Sequence, residues 1–167
     1  MSDARPVIGR HLNIDRIAPK LWMGAWPAFG HHVREAGFDM LVLCAKERQA
    51  VLYPGYPGVD ILRCPLDDDP ENPDGLTPRE LGAANGAALI AAAALLDGKR
   101  VLVTCNFGLN RSGLVTALIL HLRYGISGAD AARLVKSRRA ANGQLRPLFN
   151  QRFVELLPEH GLVGNQV

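Results

Sequence analysis

Apolar residues fall in short runs that are separated by longer stretches of mixed character. Three of these runs, Met40–Cys44, Val59–Cys64 and Val101–Cys105, are bounded by polar or turn-forming residues, which is typical of buried β-strands. A fourth run, Lys20–Gly24, precedes a loop that contains proline and glycine and is predicted to be the first strand. The chain therefore alternates strands with segments long enough to hold helices.

The clearest of the predicted helices begins just after Thr77. Threonine is a favoured cap, Pro78 is suited to the first helical position, and Glu80 can complete a capping box. The alanine-rich stretch that follows propagates the helix as far as Asp97-Gly98, where glycine ends it. Further helices are predicted over Val33–Gly37, Ser112–Tyr124, Ala129–Ala141 and Leu148–Leu157.

Strands that alternate with helices predict an α/β fold, with a central, mainly parallel sheet flanked by helices. The 167 residues suit a single domain over 1–167, with residues 1–12 expected as a flexible leading segment. In sheets of this kind, ligands bind at the carboxyl ends of the strands. The residues directly after Val101–Cys105 are therefore the first place to look for chemistry.

Composition narrows the classes of function. Apolar residues make up 48% of the chain and charged residues 21%, as in ordinary globular domains. The net charge of +3 is a mild bias towards anionic ligands, far from the dense basic stripe of nucleic-acid-binding proteins. The longest apolar run, Ala87–Leu96, is about half a membrane span. With no apolar signal segment and three cysteines that form no disulfide pattern, we expect a cytoplasmic protein without membrane contact.

The segment after the third buried strand has the features of a phosphate-binding loop. It leads from the strand directly into a helix, so its backbone N–H groups can turn inward beside the positive end of the helix dipole. Gly108 permits the sharp turn, and Arg111 can form a fork onto two oxygens of a phosphate. The predicted phosphate-binding residues are Asn106, Phe107, Gly108, Leu109, Asn110 and Arg111.

Cys105 lies at the base of this predicted loop. A positive field from amides, helix dipole and arginine favours thiolate over thiol, and the thiolate is the reactive form. The implied reaction is in-line attack on phosphorus, giving a phosphocysteine that water later cleaves. The hydroxyl of Ser112 can ease departure of the sulfur, and the alternative for Ser112 is a helix-capping role.

A general acid is also required, because the leaving oxygen must be protonated. The candidates are Asp67, Asp68 and Asp69, in the segment after the second buried strand. Three adjacent carboxylates repel one another, which favours keeping at least one of them protonated. The alternative is that these aspartates only cap turns in a solvated loop.

The stretch from Cys105 to Ser112 resembles the Cys-x5-Arg-Ser/Thr signature of cysteine-dependent protein tyrosine phosphatases, in particular the dual-specificity branch. The likeness extends over nearly the whole chain, with Ile17–Gly24, Gly37–Leu43 and Pro65–Asp68 similar to successive family segments. It implies a metal-independent hydrolase of phosphotyrosine, phosphoserine and phosphothreonine without a cofactor. It also implies that Asp68, the fourth residue counted from Pro65, is the acid. Val135–Arg139, Asn150 and Phe153 resemble the closing helices of the family.

Thr104 departs from the family pattern, which usually has histidine directly before the cysteine. Threonine can donate a hydrogen bond but cannot carry a charge. By this resemblance, we expect the Cys105 thiolate to be less stabilised than is usual in the family.

Other substrates remain open at this point. Gly108–Gly113 also resembles the Gly-Leu-Asn-Arg-Thr-Gly of RNA 5′-triphosphatases, so a 5′-phosphorylated RNA is an alternative to a phosphorylated protein or a small phosphoester. Phosphatases of inositol phosphates or nucleotides are further alternatives. A pseudophosphatase, which binds phosphorylated partners without turnover, is favoured only by Thr104.

Several conspicuous residues are assigned to structure rather than to chemistry. The pair His31-His32 has no further ligands at a suitable spacing for a metal. Cys44 and Cys64 lie on predicted buried strands and are expected to be core thiols. Arg138 and Arg139 are predicted to lie on a solvated helix face.

Overall fold

Five strands form one sheet in the computed structural model, which describes residues 13–25, 30–51, 58–69, 75–141, 143–144 and 146–162. The strands are β1 (Ile14–Ala18), β2 (Leu21–Ala25), β3 (Met40–Ala45), β4 (Asp60–Leu66) and β5 (Val101–Cys105). Their spatial order is β1-β2-β5-β3-β4, and β1 is antiparallel to β2 while the other neighbours are parallel. The predicted α/β class with a mainly parallel sheet is confirmed.

The sequence-based prediction did not include β1 and placed the first strand one residue too early. The observed β2 begins at Leu21, because Lys20 adopts a left-handed backbone conformation (φ 59°) between the two strands. β1 has the alternating burial of an edge strand. This short pattern, Ile14–Ala18, is too brief to be distinguished from a loop in the sequence alone.

The helices are α1 (Gly30–Glu35), α2 (Pro78–Leu96), α3 (Arg111–Tyr124), α4 (Gly128–Ala140) and α5 (Gln151–Glu155), with a 3-10 helix at Lys46–Val51. The prediction for the last helix, Leu148–Leu157, is wrong at its start. Leu148 has a φ of 50°, and its N–H donates to the carbonyl oxygen of Leu109 at 3.1 Å. A tertiary contact thus holds Leu148 outside the helix, which begins after its cap, Asn150.

The main core lies between the sheet and the helices α2, α3 and α4. On α2 the buried positions are mostly alanines, which let the helix approach its neighbours closely. α2 is also the one described helix that is long and apolar enough to cross a membrane by length and composition, as core helices of globular domains can be. A smaller cluster on the opposite face of the sheet includes Trp22, Val33 and Phe38.

Because β5 lies in the middle of the sheet, its carboxyl end places the loop after Cys105 at the centre of one sheet edge. The loop is packed backbone against backbone: a Cβ added at Gly108, whose φ is 67°, would lie 2.4 Å from the carbonyl carbon of Gly24 on β2. A Cβ at Gly24 would in turn lie 2.3 Å from the carbonyl oxygen of Asn13. Neither position can accept a side chain without moving the main chain.

The first turn of α2 fixes the start of the Asp67–Asp69 segment. Thr77 caps the helix by accepting from the Glu80 N–H at 3.2 Å, and Glu80 Oε2 accepts from the Thr77 N–H at 2.9 Å. The other oxygen of Glu80 accepts from the Asp67 N–H at 3.1 Å. The predicted capping box is confirmed, and it also anchors the segment that carries the acidic residues.

We predict that Thr77→Ala lowers the free energy of unfolding by about 1 kcal/mol, because the Glu80 N–H loses its acceptor and the Glu80 carboxylate loses the bond donated by the Thr77 hydroxyl. Thr77→Ser, which keeps the hydroxyl, is the control and should unfold close to wild type. Urea denaturation followed by circular dichroism measures both. Equal midpoints for wild type and Thr77→Ala would show that the capping box adds no stability.

Candidate active site

Cys105 is the last residue of β5, and Ser112 is the second residue of α3. The loop between them brings the Cys105 Sγ within 3.2 Å of the Ser112 Oγ, and both residues are buried. The helix cap is Asn110, whose side chain makes no capping hydrogen bond. Ser112 therefore lies where its hydroxyl can donate to a thiolate.

We call the backbone N–H groups of residues 106–111, which lie between Cys105 and Ser112 in the chain, the cup. Among the described residues, none of these six N–H groups donates to a protein acceptor. The last of them belongs to the first turn of α3, a helix end whose N–H groups have no partner within the helix. Uncommitted amides next to a helix N-terminus are a binding site for a tetrahedral anion.

Arg111 is 6% exposed and is held by a carboxylate on one edge of its guanidinium. Its Nη1 and Nη2 donate to Glu47 at 2.5 and 2.9 Å, and Nη1 also donates to the Leu66 carbonyl oxygen at 3.3 Å. A guanidinium has five N–H bonds, so Nε–H and the second N–H of Nη2 remain. They share the other edge of the plane, and Nε is buried without a partner in the described structure.

Glu47 follows β3 in the chain and lies in the 3-10 helix, with its side chain about half exposed. The hydrogen bond from Arg111 lowers the pKa of Glu47. The ion pair therefore contributes stability above the usual pKa of glutamate, and loses it only as the pH falls through the lowered value. Burial acts to lower the pKa of Arg111, but the bond to Glu47 and the negative charges of Cys105, Glu47 and Asp68 together outweigh it, and the pKa is raised.

Asp68 is half-buried at the edge of the cup and is held by two amide side chains. Asn110 Nδ2 donates to one carboxylate oxygen at 3.0 Å, and Asn150 Nδ2 donates to the other at 2.9 Å. The two asparagines are joined in turn, because the Asn150 N–H donates to Asn110 Oδ1 at 3.1 Å. This network connects the acidic segment, the phosphate loop and the cap of α5.

The neighbouring aspartates have different surroundings. Asp67 lies 3.7 Å from the Lys46 ammonium, and its Oδ1 accepts from the Asp69 N–H at 3.2 Å. Asp69 is exposed. Of the three candidate acids, Asp68 is the one whose carboxylate is bonded to a residue of the phosphate loop.

The Thr104 hydroxyl donates to the Val42 carbonyl oxygen on β3 at 3.3 Å, and not to the loop. The expectation that Thr104 leaves the thiolate less stabilised stays a prediction. Cys44 and Cys64 are fully buried in the core, as predicted. Burial raises the pKa of Cys44 well above its usual value, which keeps it a thiol.

The prediction that Arg138 and Arg139 share a solvated helix face is wrong for Arg139. Arg138 is exposed, but Arg139 has no exposed surface and donates to the carbonyl oxygen of Gly108 in the phosphate loop. The helical period contains the missed signal: Arg139 follows the buried Val135 by four residues and so lies on the same face of α4.

Sequence reasoning also missed Glu47. The rule that directed attention to the residues after β5 applies equally to β3, a parallel neighbour whose carboxyl end lies at the same sheet edge. Applied there, it would have pointed to the Lys46-Glu47-Arg48 segment.

No cluster of three or more histidine, cysteine or acidic side chains suited to a metal occurs within the described ranges. His31 and His32 belong to α1, but their side chains are not among those that the structure describes. The strongest ligand site that the geometry offers is thus the anion cup.

Comparison with known proteins gives a consistent set of relatives, although no family model matches the chain. Human dual specificity phosphatase 28 is 34% identical over 126 residues, which cover 74% of this chain and 66% of the human protein, just under two thirds of its length. Its mouse counterpart is 35% identical over 126 residues, covering 74% of this chain and 72% of the mouse protein.

Solved structures agree with these relatives. The crystal structure of human dual specificity phosphatase 28 has a TM-score of 0.64 at 28% identity, covering 91% of this chain and 97% of that one. A mouse protein of the dual specificity phosphatase class, solved with zinc tungstate, has a TM-score of 0.64 at 26% identity and covers 93% of this chain and 88% of its own.

We predict that Glu47→Gln weakens binding of an oxyanion such as vanadate by about tenfold, the scale of one hydrogen bond between charged groups. The amide cannot accept from both Nη atoms, so Arg111 loses its fixed orientation. Glu35→Gln, the same change at an exposed position on α1, is the control. Titration calorimetry measures both, and equal affinity in the two variants would mean that Arg111 is oriented without Glu47.

Proposed function

The chain belongs to the dual-specificity phosphatase branch of the cysteine-based protein tyrosine phosphatases, and on this basis we propose that it is a metal-independent phosphomonoesterase. The proposed substrates are proteins phosphorylated on tyrosine, serine or threonine. The reaction passes through a phosphocysteine on Cys105.

The observation that carries this proposal is the match between free donors and a phosphate ester. Six N–H groups of the loop donate to no acceptor in the described protein, and the Nε of Arg111 is buried without a partner there; in the proposed complex all of these donors bind one phosphoryl group above the Cys105 sulfur. Together they can bind three oxygens of a phosphoryl group while the sulfur approaches the phosphorus from below. These donors gain most as negative charge builds on those oxygens in the transition state.

In the first step, the Cys105 thiolate forms an S–P bond while the bond from phosphorus to the leaving oxygen breaks. Asp68, protonated, gives its proton to that oxygen. In the second step, water attacks the phosphorus, Asp68 takes a proton from it, and the S–P bond breaks. Ser112, 3.2 Å from the sulfur, donates to the thiolate that is released.

The position of Asp68 supports its role as the acid. Its two oxygens accept from Asn110 and Asn150, so the carboxylate is held at the rim of the cup. When Asp68 carries a proton, its O–H can donate to the leaving group while its oxygens continue to accept from the asparagines.

Aromatic surface at the rim supports phosphotyrosine among the substrates. The Phe107 side chain, which belongs to the loop itself, is 69% exposed. Phe149 is half-exposed and lies beneath the Arg146 guanidinium, 5.4 Å from it. A phenyl ring that leaves the cup can rest on such a surface.

We predict that the protein hydrolyses 4-nitrophenyl phosphate in the presence of a chelator and is inhibited by vanadate. Cys105→Ser should lower kcat by about 10³-fold or more, because the nucleophile is lost. Cys64→Ala, which removes a buried thiol of β4 that has no part in the proposed reaction, is the control and should retain activity.

Other outcomes of this assay point to other functions. A wild-type protein that binds vanadate but releases no nitrophenol would be a pseudophosphatase. Faster release of phosphate from triphosphate-ended RNA than from phosphopeptides would favour the RNA 5′-triphosphatase alternative. Preference for an inositol phosphate or a nucleotide would likewise replace the proposed protein substrate.

We predict that Asp68→Asn slows the reaction most for poor leaving groups, by about 10²-fold or more for a phosphoserine peptide. 4-Nitrophenyl phosphate should be affected much less, because nitrophenolate leaves without a proton. Asp69→Asn is the control. Steady-state kinetics over a series of aryl phosphates gives the dependence on leaving group, and an equal loss across the series would assign the acid elsewhere.

A further inference from the structure

Arg139 is a cation enclosed in the protein directly behind the phosphate loop. It has no exposed surface, although it lies on α4 next to the exposed Arg138. Its Nε and Nη2 both donate to the Gly108 carbonyl oxygen, at 3.1 and 2.8 Å, and its Nη1 donates to Asp15 on β1 at 2.5 Å. Asp15 is itself 8% exposed. Arg139 thus connects three segments: its own helix α4, the strand β1 through Asp15, and the phosphate loop through Gly108.

The two bonds to the Gly108 carbonyl determine where the next N–H points. A trans peptide is planar, so the C=O of Gly108 and the N–H of Leu109 point in opposite directions. Because the carbonyl is directed at Arg139, the Leu109 N–H is directed away from Arg139. The carbonyl of Leu109 is fixed as well, by the Leu148 N–H at 3.1 Å.

Gly108 is also constrained on the side of β2. Its backbone lies against Gly24 too closely for a Cβ, and Gly24 is paired with Ile14 of β1, the strand that carries Asp15. Arg139 is therefore connected to Gly108 in two ways. One is the direct pair of hydrogen bonds, and the other runs through Asp15, the pairing of β1 with β2, and the contact of Gly24 with Gly108. Rotation of the Gly108–Leu109 peptide would break both bonds to Arg139. The close approach of Gly24 also prevents Gly108 from moving towards β2.

The charge of Arg139 also acts on the nucleophile. Burial lowers the pKa of Arg139, whereas Asp15 and Cys105 act to raise it. Since a Coulomb interaction is mutual, the positive charge of Arg139 attracts negative charge on Cys105 from behind the loop. A buried ion pair in itself adds little to stability compared with apolar residues, so its placement against the loop is the informative property.

We propose that Arg139 and Asp15 are positioning residues: they hold the Gly108–Leu109 peptide so that the Leu109 N–H faces the bound oxyanion. The kinetic consequence rests on the proposed phosphatase function. The effect on oxyanion binding does not, and it can be measured whether or not the protein turns over a substrate.

The test compares Arg139→Lys, Arg139→Met and Asp15→Asn with the control Arg138→Met. Lysine keeps the charge but cannot bond to both Gly108 and Asp15 in one plane. Vanadate affinity should fall by about tenfold in both Arg139 variants, the scale of one hydrogen bond between charged groups. Asp15→Asn should lower it less, and Arg138→Met should leave it unchanged.

Kinetics and stability separate positioning from a structural role. For 4-nitrophenyl phosphate, kcat should fall in Arg139→Lys in parallel with vanadate affinity. Alkylation of Cys105 by iodoacetamide should require a higher pH in Arg139→Met, which removes the charge, than in Arg139→Lys, which keeps it. Folding is checked by urea denaturation. A variant that is less stable but binds vanadate with wild-type affinity would overturn the proposal, because Arg139 would then act on the fold alone.

A measurement on the unaltered protein keeps the proposal testable if the Arg139 variants do not fold. The amide resonance of Leu109 should shift strongly downfield when vanadate binds. A Leu109 resonance that stays in place while the other loop amides shift would overturn the proposal. Vanadate binding without hydrolysis would contradict the proposed function only, and no vanadate binding by the wild type would overturn both.

Discussion

An anion-binding loop must keep its N–H groups free, and this requirement determines how the rest of the molecule holds it. Any N–H that bonded to the protein would be lost to the phosphate. The loop is instead fixed through its acceptors. The carbonyl oxygens of Gly108, Leu109 and Asn110 accept from Arg139, Leu148 and Leu114. The side-chain oxygens of Asn106 and Asn110 accept from Arg48 and from the Asn150 backbone.

The charged groups of the site are likewise held on one side and left free on the other. Arg111 is bound to Glu47 along one edge, and the edge that faces the cup is free. Asp68 is held by amide donors rather than by a cation, so its charge is not neutralised by a fixed partner. Each group that is assigned a chemical role is therefore oriented by neighbours that leave its reactive side open.

The strand-loop-helix unit around Cys105 could be predicted because its signals are local. β5 was predicted at its observed bounds, and the helix after the loop began within one residue of the prediction. The cap at Thr77 was equally local. These elements depend on residues within one turn or one strand of each other, which sequence patterns record.

The supports of the loop were harder to predict, because they depend on contacts between distant segments. Asp15 and Arg139 are separated by 124 positions, and nothing in either segment indicates the other. Leu148 was predicted to be helical but lies outside the helix, because its N–H bonds to the loop. Glu47 and Arg139 were nevertheless recoverable in part, from the strand-end rule and from the helical period.

The contact between Gly24 and Gly108 extends the active site into a strand that carries no reactive group. Asn13, Gly24 and Gly108 belong to three segments whose main chains are so close that neither glycine has room for a Cβ. The distance between the phosphate loop and β2 is thus the closest that two polypeptide backbones can reach, and any side chain at Gly24 or Gly108 would increase it. In a descendant of this sequence, an intact Cys-x5-Arg motif would be insufficient evidence of a working site if Gly24 had been replaced.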